Sequence, residues 1–130
     1  MQVFIDTAYF YAKLDARDQW HGRAQEAAVP ERQGVTSSLV VNETFTLFQT
    51  RGQFSIALEF LEEVREDPDV RIVYVDAVLQ SNAWDECRKW GASGASVVDC
   101  TCFAIMRSMG IRKAFTFDEH FRAAGFEILG

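Results

Sequence analysis

Four acids stand where packing gives them no obvious employment: Asp6, Glu43, Asp99 and Asp118. Asp6 and Asp118 each follow a short apolar run, residues 2–5 and 114–117, that reads as a β-strand. Asp99 shares a helical stripe with Cys102, Phe103 and Met106, and Glu43 shares one with Leu39, Val40 and Leu47. Both carboxylates are therefore expected to point inward among apolar side chains. An unpaired carboxylate there costs several kcal/mol, and Lys and Arg are scarce in both segments, so a bound cation is the compensation that fits. Hard oxygen ligands suit Mg²⁺ or Mn²⁺, which retain waters and favour carboxylate plus phosphate. The chemistry this suggests is phosphodiester hydrolysis, with one metal activating water and a second steadying the departing oxygen.

Each acid also has a plainer reading. Asp6 and Asp118 are suited to capping the helices that follow their strands. Asp99 is suited to a capping box opened by Ser96, reaching back to the serine's backbone N–H. Nucleophile signatures are absent: there is no G-x-S-x-G, no G-x-x-x-x-G-K-[ST] and no G-x-G-x-x-G. His21 and His120 stand alone and read as partly exposed helix residues rather than catalysts. An aspartyl phosphoacceptor of the doubly wound type would need a second acid close to Asp6-Thr7-Ala8, and none stands at that offset.

Positioning these acids requires strands alternating with helices. A strand at 2–5 leads into a helix through Leu14, and a second helix is expected over 18–28, ended by Pro30 and Gly34. A short strand at 35–38 precedes a helix over 39–50 that stops at Gly52. Phe54, Ala57, Leu58, Leu61 and Val64 then keep an amphipathic rhythm, with Glu59, Glu62, Glu63, Arg65 and Glu66 on the wet face. A strand at 70–75, a helix at 77–90 and a helix opened by Ser96 and closed by Gly110 follow. Strands at 114–117 and 126–129 end the chain. The alternation predicts an α/β fold: one domain over 1–130, a three-layer sandwich with a mostly parallel central sheet flanked by helices. In such sheets, sites form outside the carboxyl ends of the strands, where the strand order reverses. Asp6 and Asp118 lie there.

The 130 residues carry 19 acids against 13 bases, a net charge of −6, and 48% are hydrophobic. That is the balance of a folded domain that repels polyanions except where cations reverse the local field. No run reaches the length of a membrane helix, and Asp6 interrupts the opening apolar residues before a signal peptide forms, so a cytoplasmic protein is expected. Cys87, Cys100 and Cys102 are an odd number and read as reduced thiols, the last two as small helix residues rather than metal ligands. Phe45, Phe48, Phe54 and Phe60 crowd two neighbouring helices, enough for the core or for a docking surface.

Four stretches together carry a family resemblance: V-F-I-D-T-A at the start, L-V-V-N-E-T-F-T-L in the third helix, S-V-V-D-C-T-C-F-A-I-M-R, and A-F-T-F-D-E-H-F-R-A-A-G-F. They resemble the PIN-domain nucleases, specifically the VapC-like ribonuclease toxins of type II toxin–antitoxin systems. The resemblance implies that Asp6, Glu43, Asp99 and Asp118 are the metal-binding and catalytic acids, that Thr7 is the hydroxyl beside the first acid, and that Asn42, Thr46 and Ser96 support them. It further implies an endoribonuclease dependent on Mg²⁺ or Mn²⁺ that acts on RNA such as tRNA or rRNA, pairs as a homodimer and is inhibited by a cognate antitoxin. Many relatives carry another acid shortly before the Ser-x-x-Asp helix, where this chain has Lys89-Trp90-Gly91-Ala92-Ser93-Gly94-Ala95. A degenerate PIN domain that binds RNA or assembles without cutting is the alternative. The basic residues Lys13, Arg17, Arg51, Arg88, Lys89, Arg107 and Arg112 are the candidates for rimming the site.

Overall fold

The computed structural model describes residues 1–27 and 33–129, with the side chains of 25–27 left out of the description. Its centre is a five-stranded sheet in the order β3-β2-β1-β4-β5, parallel throughout. The strands are β1 (Gln2–Ile5), β2 (Gln33–Ser37), β3 (Val70–Val73), β4 (Lys113–Phe115) and β5 (Glu127–Leu129). The helices are α1 (Thr7–Leu14), α2 (His21–Ala27), α3 (Ser38–Thr50), α4 (Phe54–Glu66), α5 (Ala77–Trp90), α6 (Val97–Met109) and a four-residue α7 (His120–Ala123). From β1 the chain steps outward to β2 and β3, then returns to place β4 and β5 on the other side of β1. The order therefore reverses between β1 and β4, the crevice where ligands of parallel sheets collect.

Alternation along β1 builds the two faces. Val3 and Ile5 pack with Tyr9, Ala12 and Phe115, while Phe4 packs on the opposite side with Val35, Phe103 and Ala114. α6 is the helix most deeply sunk: Cys100 to Met106 are all buried, so it reads as apolar nearly all round and lacks a wet stripe at its centre. α3 and α4 form a hairpin around Phe48 and Phe60, both essentially inaccessible, at about 1.5–3 kcal/mol of burial apiece. Gly34 in β2 sits in close approach: a Cβ there would meet Ile5 Cδ1 at 2.7 Å, and the Ile5 side chain would have to shift. Gly110 ends α6 with φ 67°, a left-handed cap that a side chain would strain.

Several boundaries depart from expectation, β2 running from 33 to 37 rather than 35 to 38 and a short α7 preceding β5, and two departures have local reasons. α2 starts at His21 rather than at 18, because Asp18 Oδ1 accepts the Trp20 N–H at 2.8 Å and turns the chain before the helix can begin. Ala28 and Pro30 lie outside the described residues. β4 stops at Phe115, since Thr116 Oγ1 accepts the Asp118 N–H at 3.0 Å and bends the backbone off the ladder. β3 ends at Val73 rather than 75. Among the described residues no helix is long and apolar enough to cross a membrane.

Candidate active site

Asp6 terminates β1 and caps α1. Its Oδ1 accepts the Thr7 N–H at 2.8 Å, and its Oδ2 accepts the Thr116 hydroxyl at 2.8 Å. That same hydroxyl accepts from the Asp118 backbone, so a single oxygen ties the ends of β1 and β4 together. Asp118 Oδ1 accepts the His120 N–H at 2.9 Å and lies 2.8 Å from His120 Nδ1, at ion-pair distance but without hydrogen-bond alignment. His120 Nε2 sits 3.1 Å from the Ser93 carbonyl, in the one-turn 3₁₀ segment Gly91–Ser93. At the head of α6, Ser96 and Asp99 form a complete capping box: the Ser96 N–H donates to Asp99 Oδ2 at 3.1 Å, and the Asp99 N–H donates to Ser96 Oγ at 3.0 Å. The plain reading of these acids holds: Asp6, Asp99 and Asp118 each accept from local backbone N–H groups.

Single ligand atoms of Asp99, Asp118 and His120 lie within 4.8 Å of one another. Asp6 and Glu43 join electrostatically. Burial pushes the Asp6 carboxyl up from 3.8 to about 7, with Asp99 and Glu43 adding repulsion and the Thr116 and Thr7 donors opposing it. Burial likewise raises Asp99, and Asp118 raises it further. The Cys102 thiol beneath them is pushed well up by burial and then by the fields of Asp6, Asp99 and Glu43. His120 is raised, first by the Ser93 carbonyl and then by Asp118, so its cationic form is favoured. Among the described residues no Lys or Arg lies within ion-pair distance of any of the four acids. Clustered carboxylates, one of them with its ionisation held back by burial and none paired with a Lys or Arg, form with His120 a donor set suited to a divalent cation.

Glu43 corrects the inward expectation: it is exposed, because the buried stripe of α3 runs through Val40, Val41, Thr44 and Phe48 instead. It stands on the wall of an open cleft of about 420 Å³ with Leu39, Asn42, Thr46, Leu47, Thr50 and Val98. Asn42 and Thr46 are exposed beside it, whereas Thr7 is buried with its Oγ1 3.4 Å from that of Thr44. Asp99 is half-buried rather than interior, because it serves the capping box at the head of α6, and Asp118 is half-buried as well. The cysteines are free, with Cys100 and Cys102 buried in the α6 core.

Two residues that sequence reasoning left aside prove central to the geometry, Thr116 and His120. The available signal was alternation, since Thr116, Asp118 and His120 are every second residue at a strand end. Several basic candidates are instead engaged elsewhere. Arg17 pairs with Asp15, Arg51 lies over Tyr11, and Arg107 pairs with Glu86 while its guanidinium covers Phe126. Of the crowded phenylalanines, Phe48 and Phe60 fill the core, but Phe54 is 53% exposed with Phe45 edge-on against it.

Comparison with known proteins agrees with this geometry. The PIN domain family model matches residues 3–127. The 23S rRNA-specific endonuclease VapC20 of Mycobacterium tuberculosis is 36% identical over 125 residues, covering 95% of each chain, in both strain CDC 1551 / Oshkosh and strain H37Rv. The crystal structure of Mycobacterium tuberculosis VapC20, described as a sarcin–ricin loop cleaving toxin, superposes with a TM-score of 0.86 at 35% identity, again over 95% of each chain. FitAcB from Neisseria gonorrhoeae (TM-score 0.71, 16% identity, 100% of this chain and 97% of that one) shares the fold. So does VapBC2 from Rickettsia felis bound to a DNA fragment from their promoter (TM-score 0.72, 11% identity, 98% and 97%). By its sequence, its parallel sheet and the acids gathered at the strand-order reversal, the chain belongs to the PIN-domain family as a VapC-like member.

Proposed function

We propose that this protein is a divalent-metal-dependent endoribonuclease, the toxin of a toxin–antitoxin pair, with residues 1–130 forming one nuclease domain. The observation that supports this reading is the approach of Asp99, Asp118 and His120 to within 4.8 Å of one another, with Asp6 and Glu43 adding their fields and no Lys or Arg among the described residues paired with any of the four acids. Asp99 and Asp118 would hold the ion, with Asp6 coupled to them electrostatically and the His120 imidazole joining as a nitrogen donor once it gives up its proton. When bound, Mg²⁺ or Mn²⁺ would supply Lewis-acid polarisation of a phosphodiester and activation of water. Thr116 and Thr7 hold the Asp6 carboxylate oxygens in place, and the Ser96 box does the same for Asp99. Glu43 faces the open cleft, where the RNA backbone would pass.

The substrate class follows from the relatives named above: a structured loop of large-subunit ribosomal RNA. A cognate antitoxin and a homodimeric assembly in the cytoplasm complete the reading, and the exposed Phe54 and Leu58 on α4 offer apolar surface for a protein partner. The test is cleavage of a ribosomal stem-loop transcript by purified protein in Mg²⁺ or Mn²⁺. Cutting should cease in EDTA and in Asp99→Asn, with the circular dichroism of the variant unchanged. Undiminished cutting in either case refutes the proposal.

A further inference from the structure

Three pairs of aromatic rings stack nearly parallel in the described residues, and one differs from the rest. Tyr9–Phe115 and Tyr11–Phe48 are buried on both sides. Trp20–Phe117, with centroids 5.0 Å apart and planes 11° from parallel, is only half-buried. The guanidinium of the exposed Arg23 lies over this pair, 5.1 Å from the Trp20 ring and 5.6 Å from the Phe117 ring. Arg51 lies likewise over Tyr11, so it is the half-open face rather than the cation that sets this stack apart, and an incoming nucleotide presents both a π-face and a phosphate to such a surface.

Its position is as informative as its composition. Phe117 is the residue between Thr116, which holds Asp6, and Asp118. With neighbouring Cα atoms about 3.8 Å apart, its ring lies within roughly 10 Å of the Asp118 carboxylate, about three base rises at 3.4 Å per nucleotide. The turn that fixes Asp118 therefore also fixes the ring, and Asp18 holds Trp20 by its backbone N–H.

Resting on the nuclease reading above, we propose that Trp20 and Phe117, with Arg23 over them, form a stacking platform for one unpaired RNA base within three nucleotides of the scissile phosphate. Such a platform favours strands whose bases are already splayed from a helix, because a paired base keeps its faces stacked on its neighbours. It also places a positive charge beside a site otherwise built of acids, in a chain of net charge −6.

The test uses the Asp99→Asn protein, in which RNA is to be bound without being cut, and a fluorescein-labelled single-stranded RNA hexamer read by anisotropy. Trp20→Leu, which keeps apolar bulk without a π-face, should weaken binding by roughly 5- to 150-fold. Trp20→Phe should recover most of the loss. A hexamer of the same backbone lacking its bases should bind the parent and Trp20→Leu alike. Tryptophan emission should be quenched when the base-bearing hexamer is added to the parent, and the quenching should be absent from Trp20→Phe, a change that mere structural support would not produce. Equal affinity of parent and Trp20→Leu for the base-bearing hexamer overturns the platform while leaving the nuclease reading intact if the unaltered protein cuts RNA. Failure of the unaltered protein to bind or cut any RNA overturns both.

Discussion

Replacing Asp6 with Asn isolates the cost of holding a carboxyl group beneath the other acids. In the folded protein this group titrates near 7, against 3.8 as its ordinary value, because burial and then the neighbouring acids disfavour its ionised form. Between about pH 4 and 7 the folded chain retains a proton that the unfolded chain has lost, so metal-free stability falls as pH rises through that window. A rise of about three pH units, at roughly 1.36 kcal/mol each, gives about 4 kcal/mol of destabilisation that is complete above pH 7 and absent below pH 4. Asn carries no charge and pays none of it, while its carbonyl can still accept the Thr7 N–H. Urea unfolding in EDTA should therefore show Asp6→Asn gaining on the parent by about 4 kcal/mol between pH 4 and pH 8, from near parity at the acid end. Catalytic residues retained at the expense of stability behave in this manner. A gap that stays constant with pH, or an Asn variant that is the less stable at pH 8, would refute the assignment of Asp6 as a strained, cation-seeking acid.

Other expectations concern the supports around it. Ser96→Ala removes the hydroxyl that accepts the Asp99 N–H and should cost about 1 kcal/mol in unfolding experiments, while Mn²⁺ affinity should change little because the backbone N–H of residue 96 still holds the Asp99 carboxylate. His120→Gln should weaken Mn²⁺ binding by roughly 10-fold or more in calorimetry with little change in melting temperature, and unchanged affinity would remove His120 from the ligand set. Asp15 lies far from the acids in a network with Tyr11 and Gln53, and its carboxyl is held low by the Arg17 N–H and then by the Tyr11 hydroxyl. Asp15→Ala should cost about 1–3 kcal/mol by leaving those donors unpaired, without altering the rate of RNA cleavage by the folded fraction. The stabilisation from Asp15 is present above its ordinary value and fades as pH falls, the opposite trend to that of Asp6.

How far the chain could be read in advance depended on whether a residue's role was local or assembled. Periodicity placed α5 at its observed bounds and α6 between Ser96 and Gly110, because cap residues and the 3.6-residue rhythm lie within a single segment. The approach of Asp99 to Asp118 was foreshadowed by their places at a helix start and after a strand end, which local patterning marks. Glu43 was misjudged because a helical stripe defined by Leu39, Val40 and Leu47 differs from the true one through Thr44 by a rotation that only packing against α1 decides. His120 was passed over because its value lies in reaching Ser93 and Asp99 across the fold, contacts with no trace in local spacing. Thr116 was missed similarly, its partner Asp6 being 110 positions away.

The most direct trial of the account is calorimetric titration of Mn²⁺ into the protein at pH 8, alongside the Asp99→Asn/Asp118→Asn double variant. Saturable binding to the parent that disappears in the double variant, with its fold intact, is the predicted result. Equal binding to both proteins, or none to either, would contradict it.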